Sequence, residues 1–62
     1  MTKESLRQAR NRVYKGYGTD ADIEKYITDP EQKIRCYTSY WHLAIHVCSA
    51  INKQLRRGEE HA

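Results

Sequence analysis

The chain has 62 residues, of which 31% are charged and 39% hydrophobic, and its net charge is +3. A chain of this length forms one domain at most, whose single core rarely supplies more than roughly 3–5 kcal/mol of stability. This size excludes a deep, water-excluding enzyme pocket, and it favours a small domain that is stabilised further by a partner.

The start of the chain and its longest apolar run bear on where the protein acts. The first residues, MTKESLRQARNR, contain no apolar stretch of the kind found in a secretory signal peptide. The apolar run at residues 40–51 is much shorter than the about 20 residues of a membrane-spanning helix. Cys36 and Cys48 would lie roughly 18 Å apart on one helix, too far for a disulfide. We therefore expect a cytoplasmic protein with reduced thiols and no membrane contact.

The first predicted helix covers residues 3–15. Leu6, Ala9 and Val13 recur at helical spacing among residues of good helix propensity. Gly16 and Gly18 then interrupt the pattern and provide a C-terminal cap.

The second predicted helix is short and covers residues 20–28. Thr19 or Asp20 can cap its first amide groups, and acidic residues crowd its first turn, where the helix dipole favours negative charge. Ile23, Tyr26 and Ile27 then fall on one side.

The third predicted helix is long and covers residues 30–57. Asp29 is placed as its N-cap and Pro30 as its first residue. No glycine or proline follows until Gly58, so the helix can run for about 40 Å. We expect residues 58–62 to be frayed, and the three helices to form a single helical domain over residues 1–62.

Two apolar stripes run side by side along this third helix. Both alternate in steps of three and four residues, the spacing of a heptad repeat. A surface helix normally has one apolar face a little over 100° wide, so this helix needs partners on two sides. The first stripe consists of Ile34, Tyr37, Trp41, Ala44, Cys48, Ile51 and Leu55, and the second of Cys36, Tyr40, Leu43, Val47 and Ala50. The residues that we expect in the core or in a dimer contact are Ile34, Tyr37, Tyr40, Trp41, Leu43, Ala44, Val47, Cys48, Ile51 and Leu55.

The surplus of apolar surface predicts self-association. The first two helices can fold back as the other arm of a helical hairpin, but their apolar residues are too few to cover both stripes. The remaining stripe is most simply buried against a second copy in a symmetric homodimer. A different protein partner, or a monomer with partly exposed aromatics, is the alternative. Trp41 lies at the centre of one stripe, and we expect it to be largely buried.

The first helix is strongly basic. Residues 1–15 carry five positive charges against Glu4 alone, while residues 19–31 carry five acids against Lys25. A basic helix can contact the phosphates of nucleic acid. It can equally be a solvated face or pair with the acidic second segment. The candidate nucleic-acid contacts are Lys3, Arg7, Arg10, Arg12 and Lys15.

No residue pattern indicates a reaction or a bound metal. The serines and cysteines have no histidine–carboxylate pair placed beside them by sequence. His42 and His46 are one helical turn apart, but a structural zinc site needs four ligands and no second pair is present. We therefore predict no catalytic residue, no cofactor and no metal site.

The whole chain resembles the small accessory proteins of lambda-like temperate phages. The resemblance rests on the basic start MTKESLRQARNRVYKGYG, the long helix rich in tyrosine and tryptophan, and the end RRGEEHA. It implies a helical, non-enzymatic early protein that alters host or phage regulation by binding a protein or nucleic acid. It assigns no role to an individual residue.

Together these features predict an all-α helical hairpin, in which two short helices pack on one long helix and which forms a homodimeric bundle. The predicted function is that of a protein-interaction or regulatory module. The alternative function is a small DNA-binding regulator that contacts phosphates through its first helix.

Overall fold

The computed structural model describes residues 2–60, with side chains described as far as Arg57. These residues form four α-helices and no strand: α1 (Lys3–Arg12), α2 (Asp20–Tyr26), α3 (Pro30–Thr38) and α4 (Tyr40–Glu60). The predicted all-α class is confirmed. None of the described helices is both long enough and apolar enough to cross a lipid bilayer.

α1 begins at a capped turn and ends at a reversal of the chain. The Thr2 hydroxyl accepts a hydrogen bond from the Ser5 backbone amide at 3.1 Å, which satisfies one of the free amides of the first turn. After Arg12 the chain continues through a wider helical turn, Val13–Tyr17. Gly16 has φ of +102°, a backbone conformation that residues with a Cβ atom rarely adopt, and the helical path ends there.

α2 is fixed at its start by a carboxylate. Asp22 Oδ2 accepts from the Thr19 backbone amide at 2.9 Å and from the Thr19 hydroxyl at 3.3 Å. Ile23 and Tyr26 are buried, and the helix stops at Ile27, which has an extended backbone. The predicted second helix, residues 20–28, therefore exists but is slightly shorter.

The predicted helix over residues 30–57 is wrong in one respect, because it is divided at Ser39. Asp29 and Pro30 begin α3 as expected, but Ser39 is extended, with φ of −142° and ψ of 117°. The Thr38 hydroxyl donates to the Ile34 and Arg35 carbonyl oxygens at the end of α3. α4 is then helical to Glu60, beyond the predicted end at residue 57, while residues 61 and 62 lie outside the described part.

α4 provides the centre of the core, and α1, α2 and α3 all contact it. Four buried residues on one face of α4 recur every fourth position. Because the other three helices converge on this face, the chain buries one face of α4 by itself. That face combines Leu43 and Val47 of the second predicted stripe with Ile51 and Leu55 of the first, so neither stripe is buried as predicted. The buried hydrophobic residues of the core are Leu6, Val13, Ile23, Tyr26, Ile27, Cys36, Leu43, Val47, Ile51 and Leu55.

Candidate interaction groove

A surface groove runs along the junction of α1 and α4. Arg10 and Asn52 face each other across it, as do Tyr14 and Cys48, so the two helices are antiparallel along its length. Ile45 and Cys48 lie midway and line the groove on both sides of that point. We call the two parts the apolar half, lined by Tyr14, Trp41, Ala44, Ile45 and Cys48, and the basic half, lined by Arg7, Arg10, Ser49, Asn52, Leu55 and Arg56.

Helical spacing places these side chains on the two walls. On α1, Arg7 and Arg10 are one turn apart. On α4, one row of groove residues advances in steps of three or four beside the buried face: Trp41, Ile45, Cys48, Asn52 and Arg56.

Large aromatic surface is exposed in the apolar half. Trp41 is 68% exposed and Tyr14 is 81% exposed, while Ile45 is 43% exposed. The expectation that Trp41 is largely buried is therefore wrong within a single chain. The tryptophan extends from the first turn of α4, where no other described helix of the chain covers it.

The remaining predicted stripe residues separate into three groups. Leu43, Val47, Ile51 and Leu55 are buried within the chain, and Ala44 and Cys48 are half-buried. Ile34, Tyr37 and Tyr40 are exposed. The division at Ser39 explains the last group, since it ends the continuous seam that would have aligned α3 with α4.

The hydroxyl groups of two exposed tyrosines form hydrogen bonds to neighbouring segments. Tyr40 Oη accepts from the Gly18 backbone amide at 2.8 Å. Tyr37 donates to the carboxylate of Glu24, which also accepts from Lys33 Nζ at 3.0 Å. The hydrogen bond to Glu24 raises the pKa of Tyr37 to about 12, and the bonds from Tyr37 and Lys33 lower the pKa of Glu24.

The basic half gathers arginines from both helices. Arg10 Nη1 donates to Asn52 Oδ1 at 2.7 Å, which fixes one guanidinium in the middle of the groove. Arg7 and Arg56 are exposed nearby and have no ion pair among the described residues. No described acidic side chain lines the groove. The basic half therefore carries positive charge that the described part of the chain does not neutralise.

The structure brings together only some of the predicted nucleic-acid contacts. Arg7 and Arg10 line the groove, but Lys3 and Lys15 do not. Arg12 lies elsewhere and pairs with Asp22, Nη2 to Oδ1, at 2.6 Å. Arg56 also lines the groove, and it was not among the predicted contacts. Its position one turn after Asn52 was the available signal.

The two thiols differ in accessibility. Cys36 is buried and its Sγ donates to the His42 carbonyl oxygen, 3.8 Å away. Cys48 is half-buried and donates to the Arg10 carbonyl oxygen at 3.8 Å. Burial raises the pKa of both thiols, and for Cys48 the charge of Arg10 acts in the opposite direction. Both cysteines are free.

His42 and His46 are half-buried on α4, with stacked rings whose centroids are 5.9 Å apart. The His42 ring also meets the Trp41 ring edge-on. Among the side chains that the structure describes, no group of three His, Cys, Asp or Glu residues could hold a metal ion.

Comparisons with protein-family models, curated proteins and solved structures found no match to this chain.

Proposed function

We propose that this chain is a small, non-enzymatic regulatory module that pairs with a second copy through the apolar half of its groove. One observation carries the proposal: Trp41 and Tyr14 are both exposed and line the same depression. Tryptophan and tyrosine are enriched among the residues that dominate binding energy at protein interfaces.

The shape of the apolar half suits a second copy. Ala44 and Cys48 are small and form the floor, while Trp41 stands beside them as a large side chain. One surface thus contains both a knob and a hole, which is what a two-fold symmetric contact requires. All five lining residues are uncharged, so two such surfaces meet without repulsion between their side chains.

The size of the patch sets the strength of the pairing. Trp41, Tyr14 and Ile45 together expose roughly 400 Å², taking about 150–250 Å² for each aromatic residue. A stable interface of standard size buries about 800 Å² on each partner. The dimer is therefore weak, and a dissociation constant in the micromolar range is expected.

The shallow shape of this surface supports a regulatory role. The groove is open, whereas small-molecule sites are usually clefts that bury most of the ligand surface. The free thiols support a reducing compartment, the cytoplasm. The resemblance to accessory proteins of lambda-like phages agrees with such a role.

Light scattering coupled to size-exclusion chromatography tests the pairing. The wild-type mass should rise from one chain toward two between tens and hundreds of micromolar. Ile45→Lys should remain folded but stay monomeric, because it places a charge in the contact. Ile34→Lys is the matched control, since Ile34 is exposed but lies outside the groove. A wild-type monomer at hundreds of micromolar would exclude self-association.

A further inference from the structure

We infer that the basic half of the groove binds the phosphate backbone of a nucleic acid. The site consists of Arg7, Arg10 and Arg56, with Ser49 and Asn52 between them. This surface does not overlap the exposed aromatics of the apolar half, so the inference does not depend on the proposed dimer.

The charges of this site are available to a ligand. Arg12, also on α1, is occupied by Asp22 at 2.6 Å, whereas no described acid opposes the three groove arginines. A guanidinium group donates two parallel hydrogen bonds to a phosphate, and it stays charged at every relevant pH. Three such groups along one groove define a track for successive phosphates.

One arginine is held in place before a ligand arrives. Arg10 Nη1 is bound to Asn52 Oδ1, which orients its guanidinium between the two helices and reduces the entropy lost on binding. The other guanidinium nitrogens of Arg10 have no partner among the described residues. Arg7 and Arg56 project from opposite walls near it.

The chemistry of the basic half favours nucleic acid over an acidic protein. Protein partners are normally held by an apolar side chain in a desolvated pocket. Of the apolar residues beside the arginines, Leu55 is buried in the core and Cys48 is half-buried, so only Ile45, at the border with the apolar half, is exposed to a partner. The exposed groups between the arginines are the Ser49 hydroxyl and the Asn52 amide, which are both typical phosphate contacts.

Fluorescence anisotropy with a labelled oligonucleotide, two helical turns long, tests the inference in single-stranded and duplex form. Wild type should bind both at low salt, and the logarithm of its affinity should fall with the logarithm of salt with a slope of about −2 to −3, since three phosphates are neutralised. The double substitution Arg7→Gln, Arg56→Gln should weaken binding about tenfold or more and flatten the slope by about two.

A matched variant controls for net charge. Lys15→Gln with Arg35→Gln also removes two positive charges, but from exposed positions outside the groove. It should leave the affinity within about twofold of wild type. Equal weakening by the two double variants would mean that only overall charge matters, and it would overturn the inference.

Two further results would also overturn it. One is the absence of binding by wild type at low salt. The other is equally tight binding of a polyglutamate peptide that has the same charge as the oligonucleotide and competes with it for the same arginines. That result would identify an acidic protein as the partner. Light scattering of the Arg7, Arg56 variant should match wild type, so that failure of nucleic-acid binding and failure of dimer formation are seen separately.

Discussion

Arg12 and Asp22 join the end of α1 to the start of α2, with Arg12 Nη2 lying 2.6 Å from Asp22 Oδ1. Asp22 is the one buried charged residue of the described part, and its second oxygen accepts the Thr19 amide and hydroxyl. One carboxylate thus caps α2 and ties it to α1, because both oxygens are used.

Replacing this carboxylate should destabilise the fold. Asp22→Ala leaves the Thr19 amide and the Arg12 guanidinium without their acceptor, and we expect a loss of about 1–3 kcal/mol in the free energy of unfolding. Urea denaturation followed by circular dichroism measures it. Asp20→Ala, at an exposed position in the same first turn, should cost clearly less. Equal losses would show that the helix dipole, and not these hydrogen bonds, is what matters.

Two isoleucines provide a matched test of the core. Ile51 is fully buried and Ile34 is 64% exposed. Ile51→Ala should cost about 2–5 kcal/mol, because it removes buried methyl groups and leaves a cavity. Ile34→Ala should change stability by less than about 0.5 kcal/mol. Chemical denaturation of the two variants under the same conditions decides the matter, and similar midpoints would contradict the assignment of the core.

Gly16 is expected to resist substitution for conformational reasons. Its φ of +102° is strained for any residue with a Cβ atom, so Gly16→Ala should lower stability by about 1–2 kcal/mol. Thermal unfolding provides the measurement. Lys15→Ala, next to it and exposed, should have little effect. If Gly16→Ala melted at the wild-type temperature, the turn at Val13–Tyr17 would have a different backbone path.

The contact between Tyr37 and Glu24 should make stability depend on pH at both extremes. The pKa of Tyr37 is raised to about 12, so its contribution is complete below about pH 10, its ordinary pKa, and is lost as the pH rises through 12. The pKa of Glu24 is lowered, so its contribution is present above its ordinary pKa and is lost as the pH falls through the lowered value.

An ultraviolet titration of tyrosinate measures the upper transition. Wild type should show a late ionisation step near pH 12 from Tyr37, and Tyr37→Phe should abolish that step. Tyr17→Phe should retain it, since Tyr17 is exposed and is not the tyrosine that donates to Glu24. A late step that survives in Tyr37→Phe would refute the role of this hydrogen bond.

Alkylation of the two thiols reports on the groove. Cys48 is half-buried and should react before Cys36, which is buried in the core, and both should react more slowly than a free thiol because burial raises their pKa. If the apolar halves pair, the rate at Cys48 should fall further as protein concentration rises, while Cys36 serves as the internal reference. Mass spectrometry of iodoacetamide-treated protein follows both sites, and a Cys48 rate independent of concentration would contradict pairing.

The sequence predicted the helices whose ends carry strong local signals. Pro30 after Asp29 begins α3, and the acids after Thr19 begin α2, because these residues satisfy or complement free amides locally. The division at Ser39 lacked such a signal. Ser39 is a good N-cap, and its Oγ lies 3.4 Å from the His42 amide, but the residues around it also suit a continuous helix. Only packing decides between the two.

The groove was predictable only in part for the same reason. Helical spacing placed Trp41 on an apolar stripe and the arginines on α1, but it could not say which apolar residues the chain would cover itself, and these come from both predicted stripes. That depends on how α1 approaches α4, which is set by contacts distant in sequence. The same approach brings Arg56 to Arg7 and Arg10, a grouping that no local pattern contains.

The central position of α4 determines when the chain can acquire its structure during synthesis. The buried core includes Leu6, Val13 and Ile23, together with Val47 and Ile51, which are translated later. Helices as short as α1 and α2 are marginal in water without such a partner. Residues 1–39 therefore cannot complete this core during synthesis until α4 has also left the ribosome.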